Sequence, residues 1–253
     1  MTTPPEVRII GITGLPEVTP GSDLVELVLQ GCRRLQLQFM DGDILVFTHK
    51  VVSKAEGRLV PLSRVTPSPL AVSFAREGGR DPRSVEVVLS QARRVVKMDR
   101  GILIAETQHG LVCAQAGVDA SNVPDPDTVA LLPEDPDRSA AALRRAIYEK
   151  TGARTAVIIS DTFGRPWREG LTNVAIGVDG MLPLVDYRGQ SDPHGRSLSA
   201  TVIAAADELA GAAELVMGKL DRVPVALIQG YAYRRGRGSA SQLVRPADRD
   251  LFR

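Results

Sequence analysis

Apolar runs of strand type recur along this chain at unequal intervals, and that irregular beat most constrains its fold. Residues 7–12, 44–47, 156–159 and 224–228 are short, nearly uninterrupted apolar stretches. Runs without polar alternation suit strands covered on both faces. Segments with helical spacing fall between some of these runs and not between others. A doubly wound sheet needs a regular strand–helix–strand alternation, and its absence predicts an α+β fold of mixed sheets with packed helices.

Leu24, Leu27, Val28 and Leu35 recur at helical spacing, and Leu143, Ala146 and Ile147 do so within a helix expected over residues 139–150. A long Ala-rich helix is expected over 199–217, burying Val202, Ile203, Ala206, Leu209, Ala213 and Val216. Gly218 would end it, since glycine tolerates a left-handed cap. Residues 84–97 read as a basic amphipathic helix, and 51–62 fit helix or strand. A hairpin is expected from 101–104 and 110–113, and a strand pair around 174–185. The Pro- and Asp-rich stretch 122–138, the Gly- and Arg-rich stretch 163–170 and residues 186–196 read as loops. No repeat and no long linker divides the chain.

Lys and Arg total 31 against 30 Asp and Glu, a net charge of +1. Such a balance gives no general pull toward nucleic acid or anionic membrane, so any anion site must be local. Cys32 and Cys113 are the only cysteines and stand in no metal or redox spacing. The first 14 residues lack the charged-then-apolar order of a signal peptide, and no apolar run reaches membrane-spanning length. The expected location is the cytoplasm.

Carboxylates follow two of the apolar stretches. Ile158-Ile159-Ser160-Asp161-Thr162 puts an acid and a hydroxyl at a strand mouth, and Ala116-Gly117-Val118-Asp119 repeats the arrangement. Hard cations such as Mg²⁺ take oxygen ligands and use only one or two carboxylates, leaving room for water and phosphate. Asp119, Asp161 and Thr162 have that chemistry, but an Asp at a strand end also serves as a plain turn cap. An Asp-nucleophile phosphatase would need a second acid where Phe163 stands. Arg165 and Arg168 flank Trp167 beside this strand end, a pairing suited to carboxylate or phosphate or to an ordinary solvated loop. Lys50, Lys54 and Arg58 stand four apart and, with His49, could line a phosphate pocket or form a solvated face.

Neither a phosphate-binding P-loop nor a dinucleotide glycine motif nor a serine nucleophile elbow occurs. His49, His109 and His194 are too scattered for a histidine metal site. Arg234, Arg235 and Arg237 offer a small basic patch, the basis of an alternative reading as an RNA-binding or regulatory module.

Ordered motifs carry a resemblance. They are Gly14-Leu15-Pro16-Glu17, Asp41-Gly42-Asp43, the run from Thr48-His49-Lys50 through Lys54 to Arg58, and Ala116-Gly117-Val118-Asp119 with Ser121-Asn122. Asp161-Thr162-Phe163-Gly164-Arg165-Pro166-Trp167-Arg168, Ala206-Asp207-Glu208 and Glu214-Leu215-Val216-Met217-Gly218-Lys219 continue the series. Together they make the chain resemble the coenzyme F-420 gamma-glutamyl ligase family over residues 7–252. The resemblance implies GTP-dependent addition of L-glutamate to the F-420 precursor through an acyl phosphate, with further gamma-linked glutamates to follow. It implies an intertwined homodimer, a pair of Mg²⁺ or Mn²⁺ ions, and K⁺ as an accessory ion. Another nucleotide-dependent carboxylate–amine ligase with a different acceptor is the nearest alternative.

By motif position, the resemblance makes Asp119, Asp161 and Thr162 metal ligands. It makes Leu15, Pro16, Glu17, Val18, His49, Lys50, Lys54, Asn122, Met217, Gly218 and Lys219 nucleotide contacts. Lys50 and Lys54 would stabilise charge in the transfer, and Arg165 or Arg168 would hold the incoming glutamate or a glutamyl tail. His49 departs from the Gln or Ser of many relatives. Lys219 stands where some relatives supply a neutral metal ligand. The nitroreductase-like domain that follows in actinobacterial relatives is not expected here.

Overall fold

A computed structural model describes residues 4–250; Leu251 and Phe252, at the end of the expected family domain, lie outside the described residues. The central sheet is built from β1 (Arg8–Gly11), β2 (Ile44–Thr48), β8 (Ala156–Arg165), β9 (Arg168–Asp179) and β12 (Val225–Gln229), in the order β1-β12-β2-β8-β9. Only β2 and β8 run parallel; the other neighbours are antiparallel. This mixed sheet is the α+β architecture that the irregular beat predicts.

Successive side chains of a strand point to opposite faces, and both faces here are covered. Leu45, Phe47, Val157, Ile159 and Leu227 pack in one core with residues of α1 (Leu24–Arg34), α2 (His49–Ala55) and α5 (Pro136–Thr151). Ile44, Val46, Ala156, Ile158, Ala226 and Ile228 face the other way, onto α6 (Ala205–Met217). The sheet lies between helical layers, which explains why its strands read as continuous apolar runs.

A smaller unit lies between β2 and β8 in sequence. It holds β3 (Leu59–Pro61), α3 (Pro69–Gly78), α4 (Pro82–Gln91), β4 (Ala92–Asp99), β5 (Ile102–Thr107), β6 (Val112–Ala114) and β7 (Thr128–Ala130). Strands β4, β5 and β6 form an antiparallel sheet against α3 and α4, with Phe74, Val85, Val88, Leu103 and Ala105 in its core. Strand β3 pairs with β7. Strands β10 (Val185–Asp186) and β11 (Val202–Ile203) make a separate short ladder.

Several local expectations are corrected. The helix expected over 84–97 stops at Gln91, and Arg93 to Lys97 lie in β4, where Val95 pairs with Ala105 of β5 and Val96 sits at a register shift. The stretch 122–138 is not all loop: it contains β7, and Asp135 caps α5 at the Arg138 amide with Pro136 in the first turn. The strand pair around 174–185 does not form, since β9 pairs with β8 and Val185 pairs with Ile203. The 199–217 helix begins only at Ala205, and Val202 and Ile203 are half-buried in β11. Residues 163–170 belong to a hairpin in which β8 and β9 run on past the sheet to a turn at Arg165–Arg168.

Candidate functional site

The site forms where β2 hands the chain to α2. Residues His49 and Lys50 follow the buried strand directly, so sheet packing fixes their backbone. Their side chains reach different carboxylates. His49, only 2% exposed, sets Nε2 3.3 Å from Asp161 Oδ1. Lys50 Nζ lies 2.7 Å from Asp119 Oδ2 and also donates to Ser121 Oγ. Adjacent residues thus tie together acids 42 positions apart in sequence, Asp119 and Asp161.

Asp119 is held on the rim by a two-way backbone pairing with Ala130 at 3.0 and 2.8 Å. Its carboxylate accepts from the Ser121 amide at 2.7 Å and the Ser121 hydroxyl at 3.0 Å. Burial pushes its pKa up, but the Lys50 ammonium and the Ser121 donors outweigh burial and leave it below the usual carboxylate value. Asp119 is therefore ionised at neutral pH.

Asp161 and Thr162 follow a register shift in β8 at Ile159/Ser160. The Thr162 amide donates to Asp161 Oδ1 at 2.6 Å. Thr162 Oγ1 donates to Asn173 Oδ1 at 2.7 Å, across the β8–β9 ladder, and accepts from Lys219 Nζ. Asn173 Nδ2 in turn donates to Glu214 Oε2 at 2.9 Å, and Lys219 Nζ lies 3.5 Å from Glu214 Oε1. Buried Asn173 was not singled out from sequence, and half-buried Glu214 was named there only as part of a motif, with no role at the site. A lone Asn in an otherwise apolar stretch of β9 was the available signal.

Among the described residues, no three His, Cys, Asp or Glu side chains converge as a ready cage for a metal. Each of the oxygens of Asp119, Asp161 and Thr162 is still of the kind a hard cation takes, with phosphate oxygens and water to complete its shell. The ammonium groups of Lys50 and Lys219 sit on Asp119 and Thr162, so positive charge already occupies these oxygens. The donor chemistry fits Mg²⁺ or Mn²⁺.

The segment 15–18 comes alongside α2. Glu17 receives the Lys54 ammonium, Arg222 Nη2 lies 3.5 Å from its other oxygen, and Val18 is buried in the core. Leu15 packs half-buried against the same core, while Pro16 is exposed. Asn122 is exposed, with φ of 58°. Met217 is fully buried at the end of α6, and Gly218 turns the chain with φ 58° and ψ −179°, which is not the left-handed helical cap expected. A side chain there would strike the Asp221 carboxylate.

The three cations spaced four apart do not act as one row. Lys50 goes to Asp119 and Lys54 to Glu17, whereas Arg58, beyond the end of α2, turns to the Leu132 carbonyl at 3.1 Å. Arg165 and Arg168 lie exposed at the hairpin tip, where Arg165 Nη2 donates to the Glu169 carbonyl at 2.9 Å. The Arg234–Arg237 segment is tied by its backbone, with Leu182 N donating to Arg234 O at 2.9 Å and a bridge joining Met181 to Arg235.

A mixed α+β scaffold with carboxylates, a hydroxyl and lysines paired around a strand–helix junction defines a polar, charged class of site. Comparison with known proteins makes the class specific. The family model for F420-0:Gamma-glutamyl ligase matches residues 13–230. A coenzyme F420:L-glutamate ligase of Methanothermobacter thermautotrophicus is 44% identical over 250 residues, covering 98% of this chain and 99% of the relative. Enzymes of the same name are 44% identical in Methanopyrus kandleri, with 98% of each chain covered, and 41% identical in Methanocaldococcus jannaschii, with 98% of this chain and 97% of that one covered. The chain belongs to the coenzyme F420-0 gamma-glutamyl ligase family.

Proposed function

We propose that this protein joins L-glutamate to the deazaflavin precursor of coenzyme F-420, with GTP as the phosphoryl donor. The observation that supports the reading is the strand–helix junction, where adjacent His49 and Lys50 contact Asp161 and Asp119 respectively. A carboxylate is a poor electrophile, so the precursor's carboxylate first takes the γ-phosphoryl group and becomes an acyl phosphate. The glutamate amine then displaces phosphate. Lys50, Lys54 and Lys219 supply fixed positive charge where negative charge spreads during transfer.

Asp119, Asp161 and Thr162 would hold Mg²⁺ or Mn²⁺, which neutralises phosphate oxygens when bound. Asp119, kept ionised by Lys50 and Ser121, is suited to that task. The segment 15–18, His49, Asn122 and the Met217-Gly218-Lys219 turn would contact the nucleotide. Excluding water matters because an acyl phosphate hydrolyses if the amine is not already in place.

A homodimer fits two exposed features. Strand β4 is a sheet edge with Val95 38% and Val96 39% exposed. Unpaired edges of this kind invite another chain. The β8–β9 arm leaves Leu171 66% exposed, as an element that wraps a partner would. Arg165 and Arg168, at the arm's tip, would then meet a γ-glutamyl tail.

The test is nucleotide turnover. GDP and phosphate should form from GTP only when glutamate and the precursor are both present, and turnover indifferent to either would overturn the proposal.

A further inference from the structure

A cleft of about 280 Å³ opens beside Ala116 and Leu132, and none of the site assignments above uses it. Arg58 and Glu134 both line it, together with Thr107, Gln108 and His109. The cleft belongs to the same rim as the acidic site. Asp119 pairs with Ala130, Ala130 pairs with Leu59 across the β3–β7 ladder, and Arg58 precedes Leu59 with its carbonyl accepting from Leu131 N at 2.9 Å. Strand β7 alone therefore lies between the backbone at Asp119 and β3, which Arg58 immediately precedes.

The charges here are unspent. Arg58 donates through Nε to the Leu132 carbonyl at 3.1 Å and through Nη2 to Gln91 Oε1 at 3.4 Å, both neutral acceptors. Among the described residues no carboxylate pairs with it. A guanidinium carries five N–H donors in a fixed fork, so these bonds orient the group and leave donors free. Glu134 is exposed and no cation pairs with it among the described residues. Its backbone is pinned by His109, whose Nε2 donates to the Glu134 carbonyl at 3.0 Å. A carbonyl only accepts, which puts the proton on Nε2. Thr107 Oγ1 accepts from the Leu111 amide at 3.3 Å, which leaves its O–H to donate.

A cation and an anion, each unpaired and lining one small cleft, match a ligand that carries both charges. The cleft falls below the roughly 300–1,000 Å³ of pockets that enclose drug-sized molecules. We propose that it is the subsite for the free amino acid that the ligase consumes. Arg58 forks onto a carboxylate of L-glutamate, Glu134 faces its ammonium, and Thr107 and Gln108 fill the remaining hydrogen bonds. The assignment rests on the ligase reading for the identity of the amino acid, and on the paired charges for the zwitterion. It separates the incoming glutamate from the arm arginines, which are left for the tail.

The experiment measures KM for glutamate, GTP and precursor separately in Arg58→Lys and Glu134→Gln. Glu134 is exposed, so its variant tests the cleft without disturbing the fold. Both variants should raise KM for glutamate about tenfold, as expected for losing a charged hydrogen-bond partner, with KM for GTP unchanged. Glutarate, which lacks the ammonium, should inhibit the wild type and Glu134→Gln equally. Unchanged glutamate KM in both variants of an active ligase would overturn the subsite and leave the function standing. If the wild type ligates no glutamate, calorimetric titration with L-glutamate still decides the cleft. Binding weakened by Glu134→Gln supports it; equal binding, or none to the wild type, overturns it.

Discussion

Lys50 Nζ lies 2.7 Å from Asp119 Oδ2, one residue after His49 approaches Asp161. Side chains of neighbouring residues on α2 thus brace carboxylates that come from separate parts of the chain. Lys50→Met removes the charge and keeps the length of the stem. The account expects kcat to fall on the order of a hundredfold, as when one preorganised electrostatic group is lost. Steady-state kinetics with saturating substrates checks this, and a change confined to KM for GTP would make Lys50 a binding group only.

Asp119 has a folded-state pKa below its usual value, so its ionised form is favoured in the native protein. The stability it contributes is fully present above the unfolded carboxylate pKa and is lost as pH falls through the folded value. Urea midpoints of wild type and Asp119→Asn should differ at pH 6 and converge as the pH is taken below the carboxylate range. A difference that persists unchanged into acid would contradict the linkage.

Asp207 has the opposite sign. Burial pushes its pKa up, opposed by the Ala175 amide that donates to Oδ1 at 2.8 Å. Its ionised form is penalised at neutral pH, and the penalty disappears as pH falls below the folded value. Asp207→Asn keeps an acceptor for Ala175 and should raise Tm at pH 7, with the gain shrinking in acid. Thermal scans across that range test it.

Gly177 faces the first turn of α5, where a Cβ would meet the Pro136 carbonyl oxygen at 2.4 Å. The obstacle is backbone and cannot rotate away. Gly177→Ala should destabilise the protein by about 1–3 kcal/mol, the usual cost of overpacking. Chemical denaturation gives the value, and an unchanged midpoint would mean that α5 shifts freely on β9.

The sequence showed the central sheet because β2, β8 and β12 are buried on both faces and carry few polar residues to obscure the pattern. It concealed β4, since Arg93-Arg94-Val95-Val96-Lys97 is exposed and the same charges suit a helix face. The β8–β9 arm was hidden for a similar reason: beyond Phe163 its residues are exposed and its pairing is set by backbone hydrogen bonds, with no buried face to impose a period of two. Asp119 and Asp161 were visible as acids at strand ends. Asn173 and Glu214 were not, because their role depends on α6 lying across β9. Nor could spacing show that Arg58 turns away from Lys50 and Lys54, which follows from the helix ending at Ala55.

The most direct measurement is mass spectrometry of the deazaflavin product after incubation with GTP, Mn²⁺ and L-glutamate, using wild type and Asp119→Asn. The account predicts a mass gain of one or more glutamyl residues with the wild type, and loss of nearly all product with a folded Asp119→Asn. No gain with the wild type under varied metals, or undiminished gain with the variant, would contradict it.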